Sequence, residues 1–386
     1  MAASLFRTPQ IDLEDAHAIE TITTLRAELA HVLRVPRRWT GGLRRTTQAR
    51  AIQGSNTIEG YTVTDQDAVA AVDEDVPLAA DERTWAEILG YRRVLTYVLR
   101  MAPDATFLPD VMTLRSLHYM LLEHDLPKGP GAFRTAAVYV QDEAAERTVY
   151  EGPDADLVPD LVAELMGALR RPDSDPMVDA AMAHLNLVMI HPFKDGNGRL
   201  ARALQTMVLA QDAVLEPTFS SIEEWLGHNT DDYYRVLAVT GQGSWHPEND
   251  ADLWLKFILR AHHMQAQTLQ RRFREAEATW TALDDLIVAR GLPDRVTDPM
   301  FDAVLGSRVR RPTYVKRAAI EDRTATRDLT RLVQEGLLEA HGQTRGRYYL
   351  AGPPLQDLRR DLRSSREPLE DPYSWLPAEL RRRTGR

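Results

Sequence analysis

His191-Pro-Phe-Lys-Asp-Gly-Asn-Gly-Arg-Leu-Ala-Arg202 is the stretch on which the reading of this chain turns. Pro192 cannot continue a helix and pushes the residue before it out of helical geometry, so His191 is expected just past the end of the apolar run Ala180–Ile190. A second helix is expected from Gly198, with Leu200, Ala203, Leu204, Met207 and Val208 on one apolar stripe. At about 100° per residue, Arg199, Arg202 and Thr206 fall on a different face. Helical side chains lean toward the N-terminus, which brings both arginines back over the Gly-Asn-Gly loop. Backbone N–H groups of Gly196, Asn197 and Gly198 can converge there on an anion, helped by the positive end of the helix dipole. A di- or triphosphate suits that cradle.

The other residues of the stretch fit one reaction on such a ligand. Asp195 is a hard oxygen donor able to hold Mg²⁺ against phosphates. His191 is mostly neutral near pH 7 and can take a proton from an attacking hydroxyl. Phe193 reads as an apolar anchor for the loop. No Gly-x-x-x-x-Gly-Lys-Ser/Thr stretch occurs, which excludes the common P-loop.

Working outward, Ser174-Asp175-Pro176 supplies a cap and a first-turn proline to a helix apolar nearly all round, as expected of the buried centre of a bundle. Leu157, Leu161, Leu165 and Leu169, and Leu114, Leu117 and Leu121, mark further helices. Ala137-Val138-Tyr139-Val140, an acidic loop over 141–146, and Arg147–Tyr150 predict a hairpin. Asp250 to about Gly291 is helical, and Gly291-Leu-Pro-Asp294 ends it. Met300–Leu305, Thr313–Ile320 and Ala325–Leu338 read as three short helices, with Thr324 capping the last, and Arg345–Leu350 reads as a turn and a strand. The fold class expected is mainly α, with a small α+β unit near the end. Segments follow as a helical region over 1–104, a core over 105–265 with a flap at 134–153, a helical linker over 266–296, a module over 297–352, and a charged, partly disordered tail over 353–386.

With 386 residues, 44% hydrophobic and 27% charged, the composition is that of a globular chain, and no apolar run is long enough to span a bilayer. No membrane partner is expected, and the cytoplasm is the default location. Zero cysteines exclude disulfides, thiol nucleophiles and thiolate zinc sites. The net charge of -10 argues against a polyanion-binding surface overall, yet Ala303–Leu350 holds ten basic residues against five acidic ones. His262-His263 lacks acids at ligand spacing, and Trp225 and Trp245 read as packing residues.

The stretch His191–Arg202 matches, position for position, the signature of the Fic family, His-x-Phe-x-Asp/Glu-Gly-Asn-Gly-Arg-x-x-Arg. Gly131-Ala-Phe-Arg134, Tyr150-Glu-Gly-Pro153 and Asp232-Tyr-Tyr234 leading to Trp254 and Phe257 also resemble that family, over roughly Ser55 to Arg260. The resemblance implies a Fic helical bundle with a hairpin flap that moves AMP from ATP to a hydroxyl of a protein target, the chain itself included. It implies His191 as base, Asp195 as the Mg²⁺ ligand, Gly196, Asn197 and Gly198 as the anion cradle, and Arg199 and Arg202 on the outer phosphates. Ala137, Val138, Tyr139 and Val140 would dock an extended target segment.

Ser55-Asn-Thr-Ile-Glu-Gly60 resembles the inhibitory motif of the same family. On a helix Ser55 and Glu59 share a face, and Gly60 is placed to end it. A Glu59 carboxylate on Arg202 would take the partner that ATP's outer phosphate needs. The 297–352 module resembles a winged helix-turn-helix, in which Arg327, Arg331, Arg345 and Arg347 could meet duplex DNA; the same module could dock a protein or form a homodimer. Two alternatives stay open: removal of AMP with Glu59 orienting a water, and a DNA-binding transcription regulator whose core senses nucleotide.

Overall fold

The computed structural model describes residues 5–142, 147–170, 175–211, 216–343 and 346–385. The elements run α1 (Leu13–Leu33), α2 (Thr40–Ile58), α3 (Asp65–Asp73), α4 (Glu82–Met101), α5 (Val111–Leu122), β1 (Tyr139–Asp142) and β2 (Arg147–Glu151). Then come α6 (Val158–Ala168), α7 (Pro176–Ile190), α8 (Asn197–Gln211), α9 (Glu223–His228), α10 (Thr230–Gly241) and the long α11 (Asp252–Arg290). The chain closes with α12 (Thr297–Val304), α13 (Arg311–Ala318), α14 (Asp322–Gln334), β3 (Leu338–His341), β4 (Tyr348–Ala351), α15 (Pro353–Ser364) and α16 (Leu376–Thr384). The fold is mainly α, and its only sheets among the described residues are two antiparallel two-stranded ribbons. No helix is long and apolar enough to cross a membrane among the described residues.

Local signals set these elements. Asp12 and Asp110 form capping boxes with Asp15 and Thr113, and Asp175 accepts from the Met177 N–H at 2.8 Å ahead of Pro176. Because α7 is apolar almost all round, it is covered on every side and packs on α8, α6 and α11. One apolar core lies among α2 to α8, and a second fills the space between α7, α10, α11 and α16. A third joins the distal half of α11 to α12, α14, β3, β4 and α15. Where α2 crosses α9, Gly54 and Gly227 let the backbones touch: a Cβ on Gly54 would lie 2.1 Å from the Glu223 carbonyl oxygen.

Several expectations need correction. The boundary placed at 265 falls inside α11, which is unbroken through Arg290 until Gly291 caps it at φ 56°. The 1–104 region is helical as expected of it, and its α2 and α4 pack on α8 within one core. α6 begins at Val158, leaving Leu157 exposed before it. Thr324 does not cap α14, which starts earlier at Asp322 with Glu321 before it, where acids meet the helix dipole favourably. The same helix stops at Gln334, and Gly336, at φ 69°, turns the chain so that Leu338 opens β3 rather than ending the helix. Residues 353–385 are mostly helical instead of a loose tail: Tyr373, Leu376 and Leu380 are buried against the second core, and the Tyr373 hydroxyl donates to Asp15 at 2.8 Å. Trp225 and Trp245 do pack, against Phe257 and Phe6.

Candidate active site

The signature sits where α7 stops and α8 starts. His191 follows the last turn of α7 in the left-handed conformation, φ 50° and ψ 57°, and its N–H still bonds the Leu187 carbonyl. Such a backbone is strained for a side chain with a Cβ and turns the imidazole out of the helix path. Its Nδ1 lies 3.1 Å from the Val188 carbonyl oxygen, which can only accept, so Nδ1 carries the proton and Nε2 holds the lone pair. Burial lowers the His191 pKa, keeping the ring neutral.

The loop after it is pinned from within. Phe193 is fully buried and stacks on the His118 ring at 3.7 Å. His118 takes the Gly131 N–H on Nδ1 at 2.8 Å, which leaves its Nε2–H to donate to the Asp195 carbonyl at 2.9 Å; burial pushes this histidine down to about 4. The Asn197 side chain bonds both backbone groups of Phe193 at 2.9 Å and so closes the turn, which leaves its backbone N–H, the group expected in the cradle, uninvolved in these bonds. Gly196 is at φ 77°, and its N–H is turned onto Asp195 Oδ1 at 2.6 Å.

The charged residues resolve into two pairs. Arg199 and Arg202 are each 1% exposed, on the inner side of α8. Arg199 is held by a short contact to Glu87 of α4, itself 1% exposed, with Asp195 Oδ2 at 3.9 Å. Glu87 also accepts from Tyr61 at 2.8 Å and Lys128 at 3.2 Å; burial opposes its ionisation, but Arg199, Tyr61 and Lys128 hold it at about 2. Lys128 lies 2.6 Å from Asp195 Oδ2 as well. Burial raises the Asp195 pKa, and the Lys128 and Arg199 contacts outweigh it, leaving an ionised carboxylate.

Arg202 is bound differently. Its Nε donates to Ser55 Oγ and its Nη2 to the Ser55 carbonyl, both at 2.9 Å, while Nη2 also meets Glu59 Oε1 at 2.6 Å. Among the described residues, Nη1 is buried without a hydrogen-bond partner. Glu59 closes α2 and remains 22% exposed on its side chain, and Gly60 follows at φ 84°. Tyr234 holds this end of α2 by donating to the Ile58 carbonyl at 2.9 Å. The Glu59 carboxylate covers the start of α8 so closely that a Cβ on Gly198 would lie 2.6 Å from its Oε1.

The hairpin roots beside His191. Arg134 bonds only carbonyl oxygens, those of His191 at 2.9 Å, Ala136 at 2.9 Å, Pro153 and Ile190, and its own N–H reaches the Pro192 carbonyl at 3.0 Å. The outer edge of β2 is partly covered by Gly243 and Ser244, so β1 presents the free edge. Ala137 and Val138 precede that strand, Tyr139 begins it with 51% exposure, and Val140 turns inward. Of the acidic loop expected over 141–146, Gln141 and Asp142 instead continue β1, and 143–146 lie outside the described residues.

Far from this cluster, Arg327 and Arg347 are exposed, whereas Arg331 is committed to the carbonyls of Arg290 at 3.2 Å and Gly291 at 3.1 Å. Arg331 is therefore not the free cation expected of a groove-facing residue. Arg345 lies outside the described residues.

A model of the Fic/DOC family matches residues 109–209. Residues 109–209 form a Fic/DOC domain. Protein adenylyltransferase Fic of Nematostella vectensis is 29% identical over 220 residues, 54% of this chain and 45% of that protein. Protein adenylyltransferase Fic of Culex quinquefasciatus is 32% identical over 164 residues, 42% of this chain and 30% of that protein. The chain thus spans less than half the length of these curated relatives. A crystal structure of a Fic family protein from Desulfovibrio desulfuricans G20 shares the fold over 90% of this chain and 98% of its own, with TM-score 0.56 and 22% identity. Fic-1 from C. elegans superposes over 68% of this chain and 73% of its own with TM-score 0.52 and 21% identity.

Glu87, Lys128 and His118 were missed by sequence reasoning. All three lie outside the signature, and each reads in isolation as an ordinary helix or loop residue. The one available signal was Gly131-Ala-Phe-Arg134, which points to a second loop that something must join to the first.

Proposed function

We propose that the protein is a self-restrained protein adenylyltransferase that moves AMP from ATP to a Ser, Thr or Tyr hydroxyl of a protein, its own included. The observation that carries this reading is the Arg202–Glu59 pair above Gly198. A buried guanidinium with an unpartnered Nη1 faces the start of α8, and its carboxylate partner is the more exposed member of the pair.

In this reading Glu59 stands in for the outer phosphate of ATP, and Arg202 receives that phosphate when α2 releases it. The amides opening α8 take the inner phosphates, where the helix dipole favours negative charge. Arg199, already neutralised by Glu87, shapes this wall more than it binds. The Nε2 of His191 accepts the proton of the target hydroxyl as its oxygen attacks the α-phosphorus, the bond to the β-phosphate oxygen breaks, and pyrophosphate leaves. The Val188 carbonyl keeps the proton on Nδ1, so the lone pair stays aimed at the target. The free edge of β1 aligns an extended target segment.

Asp195 is the residue that would hold Mg²⁺. Its half-exposed carboxylate already has a cation, Lys128, on Oδ2, and a single hard carboxylate beside phosphates is the usual Mg²⁺ donor set. When bound, the ion would supply positive charge to the phosphates.

The test is mass spectrometry after incubation with ATP and Mg²⁺. One AMP group added to a hydroxyl side chain, and lost in His191→Ala, is expected. ATP binding with no transfer, even after Glu59→Gly, would end this reading in favour of a nucleotide sensor.

A further inference from the structure

We propose that the cavity between α2, α11, α12 and α15 binds a phosphate-group dianion, either free phosphate or a small phosphate monoester. The cavity measures about 60 Å³ and is lined by Arg50 from α2, Arg272 from α11, and Arg359, Arg363 and Arg366 from α15 and the turn after it. Three carboxylates answer these five cations, two of them by direct contact and the third, Asp65, from farther off. Glu275 takes Arg366 at 2.6 and 2.8 Å, and Glu224 takes Arg272 through both oxygens while lying 3.7 Å from Arg50. The guanidinium groups of Arg359 and Arg363 make no hydrogen bond or ion pair among the described residues. Asp65, a further acid acting on Arg50 and Arg359, is itself bonded by Gln53 at 2.7 Å.

Uncompensated like charges around one cavity repel, so an arrangement of this kind favours an anion within it. The protonation balance agrees: Arg50 is pushed down to about 10, by burial first and then by Arg272 and Arg363, against Glu224 and Asp65. Burial first, then Arg363 and Arg366, also lowers Arg359. Guanidinium forks match the oxygens of a tetrahedral anion, and the surplus of positive charge suits a dianion better than a lone carboxylate. The volume accepts a phosphate group and not a nucleoside. Arg50, Arg272 and Arg359 are half-buried and Arg363 and Arg366 exposed, so an ester substituent would point outward past the latter two. Arg359 also packs against Gly306, at φ 92°, where a Cβ would come within 2.8 Å of its guanidinium nitrogens. The site is separate from the nucleotide cradle. Arg50 and Glu59 share α2 but stand nine residues apart, about 13 Å along its axis.

The test is calorimetric titration of the full chain with inorganic phosphate and, separately, with glycerol phosphate, each against chloride at equal ionic strength. Saturable one-to-one binding is expected. It should weaken at least tenfold in Arg359→Gln plus Arg363→Gln, and persist in Arg202→Gln, whose partners are the cradle at α8 and the Ser55–Glu59 end of α2 rather than any residue lining the cavity. Equal affinity for both compounds assigns the free edge of the cavity to an ester; binding of phosphate alone assigns it to the free ion. The double variant should melt no lower than the wild type without phosphate, because it relieves repulsion. Absence of saturable binding, binding unchanged in the double variant, or loss in Arg202→Gln instead, would each overturn the proposal.

Discussion

Replacing Glu59 with glycine removes the carboxylate that lies 2.6 Å from Arg202 and covers Gly198. Breaking a buried ion pair from one side costs about 3 to 5 kcal/mol. Glu59 keeps 22% of its side-chain exposure, and Arg202 retains two bonds to Ser55, so the share specific to this contact comes to about 2 to 3 kcal/mol. At about 1.4 kcal/mol per tenfold, a closed arrangement favoured by that amount restrains transfer by roughly 30- to 150-fold. Glu59→Gly should therefore raise incorporation of label from α-labelled ATP by that order, with no label from γ-labelled ATP. The same substitution leaves a guanidinium buried without its counter-charge, so the melting temperature should fall, and ATP should restore it more than in the wild type. Two readouts moving in opposite directions distinguish a released brake from mere loosening. Equal labelling of wild type and variant, alongside a lower melting temperature, would show that the pair is structural only, and the mechanism of restraint would be wrong.

Glu87→Gln should act in the contrary sense: it strips the nearest counter-charge from fully buried Arg199, while Lys128 keeps Asp195, costing about 3 to 5 kcal/mol of stability with no gain in labelling, and an unchanged urea midpoint would contradict it. Gly54→Ala forces a methyl to within 2.1 Å of the Glu223 carbonyl and should cost about 3 kcal/mol or more, read by thermal melting; a loss below about 1 kcal/mol would mean α2 and α9 can separate freely. Acid should also destabilise the fold well before its carboxylates titrate. Burial holds His118 at about 4, and His184 and His262 at about 3, all below the unfolded value near 6.5. Through these three groups the unfolded chain binds up to three more protons than the folded one, and His191 and His263, lowered likewise, add to them, so stability is complete above about pH 6.5 and declines toward pH 4, the three alone contributing about 4 kcal/mol per pH unit at the steepest. Urea midpoints that match at pH 7.5 and 5.5 would refute that assignment.

How much could be read in advance depended on distance along the chain. The α7–loop–α8 unit, the hairpin and the end of α2 at Glu59 were legible because a proline, glycines and a helical stripe mark them locally. Phe193 as anchor was legible too, although its stacking partner His118 was not. Glu87 is the clearest loss. In Thr84-Trp-Ala-Glu-Ile-Leu it looks like a solvent-facing helix residue, and only the packing of α4 on α8 reveals that it neutralises Arg199. Buried ion pairs between distant helices leave no period in the sequence. Arg199 was consequently grouped with Arg202, whereas their partners differ in exposure and thus in how readily they can be exchanged. The 353–386 segment was misread for another reason: its charge density hides three anchors, Tyr373, Leu376 and Leu380, spaced too sparsely to stand out.

Those anchors bear on how the protein should be handled. α16 lies along α10, the helix whose Tyr234 tethers the Ile58 carbonyl, while Tyr373 and Asp371 fasten the same segment to Asp15 and Arg260. A fragment trimmed at the end of β4 would look tidy on paper, yet it would strip one side of α10 bare and slacken the tether holding Glu59. Expression vectors cut there would deliver a protein with altered behaviour, and comparisons between truncated and intact preparations would confuse a missing prop with a missing regulator.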